Sequence, residues 1–227
     1  MCLATDSESI GRVLVDQIGL SGANKVGLLH FNSDAFMPLV KDVIVAGSKI
    51  PVIVESYPAG TLDFKTILLK MMQEGADSMV LLGYDETGIA MKQARDLGYK
   101  GRFFTTGTVT SPSLQEASKG ASDGAIFAFW DSPKDKEPGA AFTSAFMKLQ
   151  GRPPILDLAT YPTYDAVQAI YKATVASSSR DTNQLTKSLI ELPGFVGVTG
   201  FVKFSNDGSM KIPESPHILE GGKVVRI

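Results

Sequence analysis

The residues of this 227-residue chain that are suited to chemistry lie in short groups, and most of these follow apolar, strand-like runs. Two such groups, at 32–36 and 84–86, combine aromatic, carboxylate and amide or hydroxyl side chains, and a third, at 105–110, is rich in threonine. Asp6 and Ser7 form a fourth group at the start of a helical pattern. Such side chains hold small molecules by hydrogen bonds and ring contacts, so the sequence favours binding over catalysis.

One short motif matches a hydrolase signature by its letters. The segment 120–124 reads GASDG and fits G-x-S-x-G. A nucleophile elbow needs a strand before its serine and a helix after it. Here a helical pattern precedes Ser122 and an apolar strand-like run follows it, so we interpret the segment as a helix-to-strand turn. We expect no enzyme activity.

The sequence contains no residue spacing that is typical of a metal, cofactor or nucleotide site. The two histidines are His30, inside an apolar run, and His217, which follows a proline. Neither has a cysteine or carboxylate at metal-ligand spacing, and the chain contains neither a P-loop nor G-x-G-x-x-G. The sequence therefore predicts no metal and no cofactor.

Taken singly, the polar residues have simpler explanations. Asp34 and Glu86 stand where helices start, which the helix dipole favours, and threonines are common in turns. Asp85 and Glu86 are sequence neighbours and point apart, so they do not form a catalytic carboxylate pair. Tyr84 and Phe36 add aromatic surface to the same groups, and together they favour a ligand site.

Apolar periodicity explains how these groups meet. Strand-like runs alternate with helical patterns up to residue 130, which favours a doubly wound parallel sheet with helices on both faces. The predicted strands are 25–31, 51–56, 78–82, 102–106 and 125–130. Ligands of such sheets bind beyond the carboxyl ends of the strands, where the groups lie.

The chain changes character after residue 130. A polar stretch with two prolines, 131–138, indicates a connection, and helices are predicted near 139–150, 162–176 and 181–192. The rest is predicted to be β structure at 196–204 and 217–227, with a hairpin turn at Gly221-Gly222. We assign 1–130 and 216–227 to one lobe and 131–215 to another.

Composition excludes several classes of protein. The chain is 44% hydrophobic and 20% charged, as globular proteins are, and its net charge of -2 gives no reason to expect a nucleic-acid partner. A single cysteine, Cys2, forms no internal disulfide. The first residues lack the basic start and apolar core of an export signal, so none is predicted.

Several segments together resemble the type I periplasmic solute-binding proteins of ABC importers, the Leu/Ile/Val-binding and extracellular ligand-binding receptor group. They are ATDSESIGRVLVDQI, KVGLLHFNSDAF, FKTILLKMMQEGADSMVLLGYDETGIAMKQARDLGYKGRFF, YDAVQAIYKA and the pattern G-x-T-G-x-V-x-F-x-x-x-G at 197–208. The resemblance implies an α/β fold of the periplasmic binding protein type I kind, with one complete lobe plus part of a second. It also implies a small-molecule ligand, a membrane permease as partner, and a periplasmic or extracellular parent protein.

The resemblance also implies ligand-binding residues. Tyr84 matches a second-lobe tyrosine that contacts ligand, and Phe36 matches an aromatic residue of the first loop. Asp6 and Ser7 match the polar contact at the first crossover between lobes.

The loop after the fourth strand, Thr106-Gly107-Thr108, departs from the family pattern. Amino-acid binders of the family place an acid there to hold the ligand ammonium, and this chain has Gly107. Either Asp85 supplies the charge, or the ligand is neutral or acidic. The ligand is thus left open between an amino acid and a small carboxylic or aromatic acid.

A second departure concerns the first lobe. The first half of that N-terminal lobe has no counterpart in this chain, so the helices of 131–215 would lack part of their sheet. Uncovered apolar helices predict aggregation, homo-oligomer formation or partial disorder. Two other functions remain open, a ligand-sensing module of a receptor or regulator and, less favoured, an α/β hydrolase-type enzyme.

Overall fold

A computed structural model describes residues 7–46, 49–130 and 137–227. The chain divides into two compact units. The sheet unit consists of Ser7–Phe129 and Ser215–Ile227, and the helical unit contains the described residues of 130–214. Asp6, expected to contact the ligand, and most of the predicted connection lie outside the described residues.

Helices and strands alternate in the first part of the sheet unit, as the periodicity predicts. Each of its five predicted strands is confirmed, with ends that differ by at most one residue. The elements are α1 (Ser7–Leu20), β1 (Val26–Phe31), α2 (Met37–Ala46), β2 (Val52–Tyr57), α3 (Lys65–Gln73), β3 (Ser78–Leu82), α4 (Glu86–Asp96), β4 (Arg102–Thr105), α5 (Pro112–Ser118) and β5 (Ile126–Trp130).

The helical unit holds three helices and a small antiparallel sheet in the order β6-β7-β8. Its elements are α6 (Gly139–Gln150), α7 (Asp157–Ser177), α8 (Thr182–Glu191), β6 (Phe195–Gly197), β7 (Gly200–Phe204) and β8 (Met210–Lys211). One face of α7 exposes Val167, Tyr171 and Val175, which recur every four residues. The incompleteness of this lobe and homo-oligomer formation both stay predictions.

The β structure predicted at 196–204 is confirmed and consists of two strands. The run 196–204 is not a single strand, because it folds back as the hairpin of β6 and β7. The buried Asp165 carboxylate accepts hydrogen bonds from the backbone N–H groups of Val198 and Thr199, which bends the chain between the strands. Gly200 follows with φ +107, in the region that favours glycine.

The chain returns to the sheet unit through β9 (Glu214–Glu220) and β10 (Lys223–Arg226), the predicted hairpin around Gly221-Gly222. The seven-stranded sheet has the order β10-β9-β5-β4-β3-β1-β2. Its β2-β1-β3-β4-β5 part is parallel throughout, which confirms the doubly wound fold. Within the described ranges, no helix is long and apolar enough to cross a membrane.

Candidate functional site

The strand order of the sheet reverses between β1 and β3, because β2 lies on one side of β1 and all later parallel strands lie beyond β3. Doubly wound sheets bind ligands in the crevice at this point, beyond the carboxyl ends of the strands. Phe31 is the last residue of β1, and Gly83 and Tyr84 follow β3 directly. The sequence-predicted Tyr84 therefore lies at the position that the topology favours for a ligand.

Four aromatic side chains meet at this edge, and we call Phe31, Phe36, Tyr57 and Tyr84 the aromatic cluster. Ring centroids lie 5.3 Å apart for Phe36 and Tyr84, 6.0 Å for Phe31 and Tyr84, and 5.8 Å for Phe31 and Tyr57. Phe36 and Tyr57 are buried, whereas Tyr84 is 50% exposed. The cluster thus presents one open ring on a packed aromatic base, a surface suited to an apolar or aromatic group.

Glu86 fixes the loop that carries Tyr84. Its Oε1 accepts hydrogen bonds from the Tyr57 hydroxyl at 2.9 Å and from the Tyr84 backbone N–H at 3.2 Å. Burial, followed by the nearby Glu86 carboxylate, raises the pKa of Tyr57 far above its usual value. Tyr57 therefore stays protonated and remains a hydrogen-bond donor at physiological pH.

Gly83 makes room for this arrangement. A Cβ at this position would overlap the Tyr57 hydroxyl and would lie 2.8 Å from Thr87 Cγ2 and 3.0 Å from Glu86 Oε1. Real Cβ atoms do not tolerate such approaches, so the loop after β3 needs a residue without a side chain. The glycine is required for close approach, not for an unusual backbone angle.

Asp85 is hydrogen-bonded through both of its oxygens. Ser111 Oγ donates to Oδ1 at 2.8 Å, and Ser113 Oγ donates to Oδ2. These contacts join the start of α4 to the start of α5, and the two helices approach so closely that a Cβ on Gly88 would overlap the Leu114 carbonyl oxygen. The hydrogen bonds of Asp85 thus give this exposed residue a structural role, and the ligand contact expected from the sequence remains a prediction.

The threonine loop leaves the sheet beside the Tyr84 loop, because Leu81 of β3 pairs with Thr105 of β4. Thr106 Oγ1 and Thr108 Oγ1 are hydrogen-bonded to each other at 2.9 Å. Thr106 and Gly107 are buried, and Thr108 is half-buried. This loop offers hydroxyl groups and no carboxylate at the edge of the site.

The structure also shows the surroundings of the other side chains that the sequence singled out. Ser7 is the first residue of α1 and is half-buried. His30 Nδ1 lies 3.0 Å from the carbonyl oxygen of Phe31, and the ring of His217 lies against Phe127 and Phe129. Ser122 is buried and hydrogen-bonded to a neighbouring serine between α5 and β5, so the predicted helix-to-strand turn is confirmed.

Sequence reasoning missed Phe31 and Tyr57 as members of the site. Each is an aromatic residue at the end of a strand, β1 for Phe31 and β2 for Tyr57. An aromatic residue that closes an apolar run at the ligand-binding edge was the signal that could have identified both. Glu86 was noticed as a helix-start residue, and its contact with Tyr57 across 29 residues of sequence was not foreseeable.

The described residues also line a cavity of about 790 Å³ at the opposite edge of the sheet. Val26 and Val52, the first residues of β1 and β2, contribute to its aliphatic wall. It lies at the amino ends of these strands, where doubly wound sheets do not place ligands. Topology and the convergence of polar and aromatic groups therefore favour the aromatic cluster over this cavity as the ligand site.

A sequence profile described as "Periplasmic binding protein" matches residues 2–213 of the chain. The leucine-specific-binding protein of Salmonella typhimurium is 28% identical over 175 residues, covering 76% of this chain and 46% of that protein. The leucine-, isoleucine-, valine-, threonine- and alanine-binding protein of Pseudomonas aeruginosa is 28% identical over 176 residues, covering 75% and 45%. The chain therefore spans about half the length of these curated relatives.

Solved structures show the same fold. The leucine-binding protein LivK of Thermotoga maritima has a TM-score of 0.86 at 22% identity, covering 98% of this chain and 65% of its own. A Rhodopseudomonas palustris solute-binding protein in complex with benzoate has a TM-score of 0.83 at 17% identity, covering 99% and 63%. LivJ of Streptococcus pneumoniae, in complex with isoleucine, has a TM-score of 0.80 at 23% identity, covering 97% and 64%.

Proposed function

Because this chain belongs to the periplasmic binding protein family, we propose that it binds a small organic solute at the aromatic cluster for uptake by an ABC importer. The observation that carries the proposal is the half-exposed Tyr84 ring at the switch point of the sheet. The parent protein then acts in the periplasm or outside the cell, and its partner is a membrane permease. The solute leaves unchanged, since the role requires no catalytic group.

The aromatic cluster also bears on the kind of solute. An exposed ring on a buried aromatic base gains most from an aliphatic or aromatic group that covers it. The relatives are named for leucine and other small amino acids, and one solved structure contains benzoate. We therefore propose a small amino or carboxylic acid whose apolar end rests on Tyr84.

Binding without turnover is the direct test. The whole chain is titrated by calorimetry with leucine, isoleucine, phenylalanine, benzoate, 4-methylpentanoate and 3-phenylpropanoate, and the recovered solute is analysed for chemical change. Saturable binding of at least one of these acids, recovered intact, supports the proposal. Absence of binding across the series, or chemical conversion of the solute, contradicts it.

Tyr84→Ala is expected to weaken binding of the solute about 10- to 100-fold, corresponding to loss of roughly 1–3 kcal/mol from an aromatic contact. Tyr84 is half-exposed, so its removal should leave the midpoint of thermal unfolding nearly unchanged. Tyr84→Phe keeps the ring and serves as the matched control, with affinity within about threefold of the parent. Equal affinity of the alanine variant and the parent would remove Tyr84 from the site.

A further inference from the structure

Two carboxylates follow Tyr84, and the structure distinguishes them. Both oxygens of Asp85 accept hydrogen bonds from serine hydroxyls. Glu86 uses only Oε1, and its Oε2 accepts no hydrogen bond among the described residues. No described lysine or arginine forms a salt bridge with Glu86 either. The Glu86 carboxylate therefore lies beside the aromatic cluster, and its Oε2 has no hydrogen-bond partner among the described residues.

The Glu86 carboxylate is also fixed in place. The Tyr57 hydroxyl and the Tyr84 N–H both hold Oε1, and Tyr57 itself is packed between Phe31 and Phe64. The side chain is half-buried, so solvent screens it less than a surface carboxylate. A group that is already oriented loses little entropy when a ligand binds, which increases its contribution to affinity.

The surroundings of Glu86 suit an ammonium group. The half-exposed Tyr84 lies two residues before Glu86 and donates its backbone N–H to Oε1, so an accessible aromatic ring and the carboxylate belong to the same loop. Aromatic faces attract cations, and a carboxylate forms strong hydrogen bonds with ammonium N–H groups. The neighbouring threonine loop has Gly107 and no carboxylate, so it offers a ligand cation no charge partner.

We infer that Glu86 Oε2 binds the protonated amine of the solute and thereby selects amino acids over acids of the same shape that lack the amine. This inference rests on the proposed function and narrows its ligand class. In this arrangement the apolar side chain of the amino acid lies on Tyr84, and the ammonium group lies towards Glu86. Tyr57 acts as a positioning residue because its hydroxyl fixes Oε1.

The test compares matched pairs of ligands that differ by the amine alone. Calorimetry measures leucine against 4-methylpentanoate, and phenylalanine against 3-phenylpropanoate, with the parent chain and Glu86→Gln. The parent should prefer the amine-bearing member by at least tenfold. Glu86→Gln should weaken binding of that member about 10- to 100-fold and leave the deaminated acid within threefold, so that the preference disappears.

Glu86→Gln retains an oxygen that can accept from the Tyr57 hydroxyl, and the midpoint of its thermal unfolding shows whether the loop keeps its structure. Two further variants separate the effect of the charge from an effect on the structure. Tyr57→Phe frees the carboxylate without removing its charge, and should reduce the preference about threefold to tenfold. Glu116→Gln removes an exposed carboxylate from α5 and should leave the preference unchanged.

The outcomes separate the two proposals. If the parent binds the deaminated acids as tightly as the amino acids, the inference about Glu86 is wrong and solute binding stands. The inference about Glu86 is also wrong, and solute binding still stands, if the Glu86→Gln variant retains the preference for the amine-bearing acids. If no member of either pair binds, and the other acids also fail to bind, both the proposed function and the inference are overturned.

Discussion

Gly83→Ala is expected to destabilise the sheet unit by about 2–4 kcal/mol and to weaken solute binding at least tenfold. The new methyl group would occupy the position of the Tyr57 hydroxyl. Tyr57 is 1% exposed and packs against Phe31 and Phe64, so its ring has no space to retreat into. The loop after β3 must then shift, and with it the backbone of Tyr84.

Urea denaturation measures the loss of stability, and calorimetry measures the loss of affinity. Gly19→Ala is the matched control, because nothing lies within 4 Å of its added Cβ and the residue is inside α1. Alanine is favoured over glycine within a helix, so this variant should be unchanged or up to about 1 kcal/mol more stable.

A double variant tests whether the clash is with the Tyr57 hydroxyl. Gly83→Ala combined with Tyr57→Phe removes the oxygen that the methyl group meets. The double variant should lose less stability than the sum of the two single variants, by about 1 kcal/mol or more. Additive losses would show that Gly83 is needed for another reason.

Asp165→Asn is expected to destabilise the helical unit by about 2–4 kcal/mol. Asp165 is 0% exposed and accepts hydrogen bonds from the N–H groups of Val198 and Thr199, both at 2.8 Å, and from the Thr199 hydroxyl. Asparagine has one side-chain oxygen, and its amide N–H₂ would face a backbone donor. At least one buried donor would therefore lose its acceptor.

Thermal unfolding followed by circular dichroism, with hydrogen exchange at Val198 and Thr199, measures this effect. Thr199→Ser keeps the hydroxyl donor and loses one buried methyl group, so it should cost about 1 kcal/mol and leave hydrogen exchange at both amides unchanged. Thr199→Val keeps the backbone N–H and loses the hydroxyl, and should cost about 1 kcal/mol. An Asp165→Asn variant as stable as the parent, with unchanged exchange at both amides, would contradict this account of the hairpin.

The sequence by itself determined the elements and the layers of the sheet unit. Apolar runs of five to seven residues between helical patterns predicted β1 to β5, and the Gly221-Gly222 pair predicted the β9–β10 hairpin. These features depend on residues close together in the chain, so periodicity and turn chemistry are enough to reveal them. Tyr84 was placed at the ligand-binding edge for the same reason, since it directly follows an apolar run. Its role in binding remains a prediction.

Tertiary structure alone decided what surrounds Tyr84. Tyr57 and Glu86 are 29 residues apart in sequence. Only the pairing of β2, β1 and β3 brings Tyr57, the last residue of β2, next to the start of α4, where Glu86 lies. Gly83 is critical because a side chain from a different strand occupies the space beside it. In the same way, Asp165 bends the β6–β7 segment from 33 residues away. Sequence periodicity indicates which face of a helix or strand is apolar. Close approaches and shared hydrogen bonds depend instead on residues that are distant in sequence and become neighbours only when the chain packs.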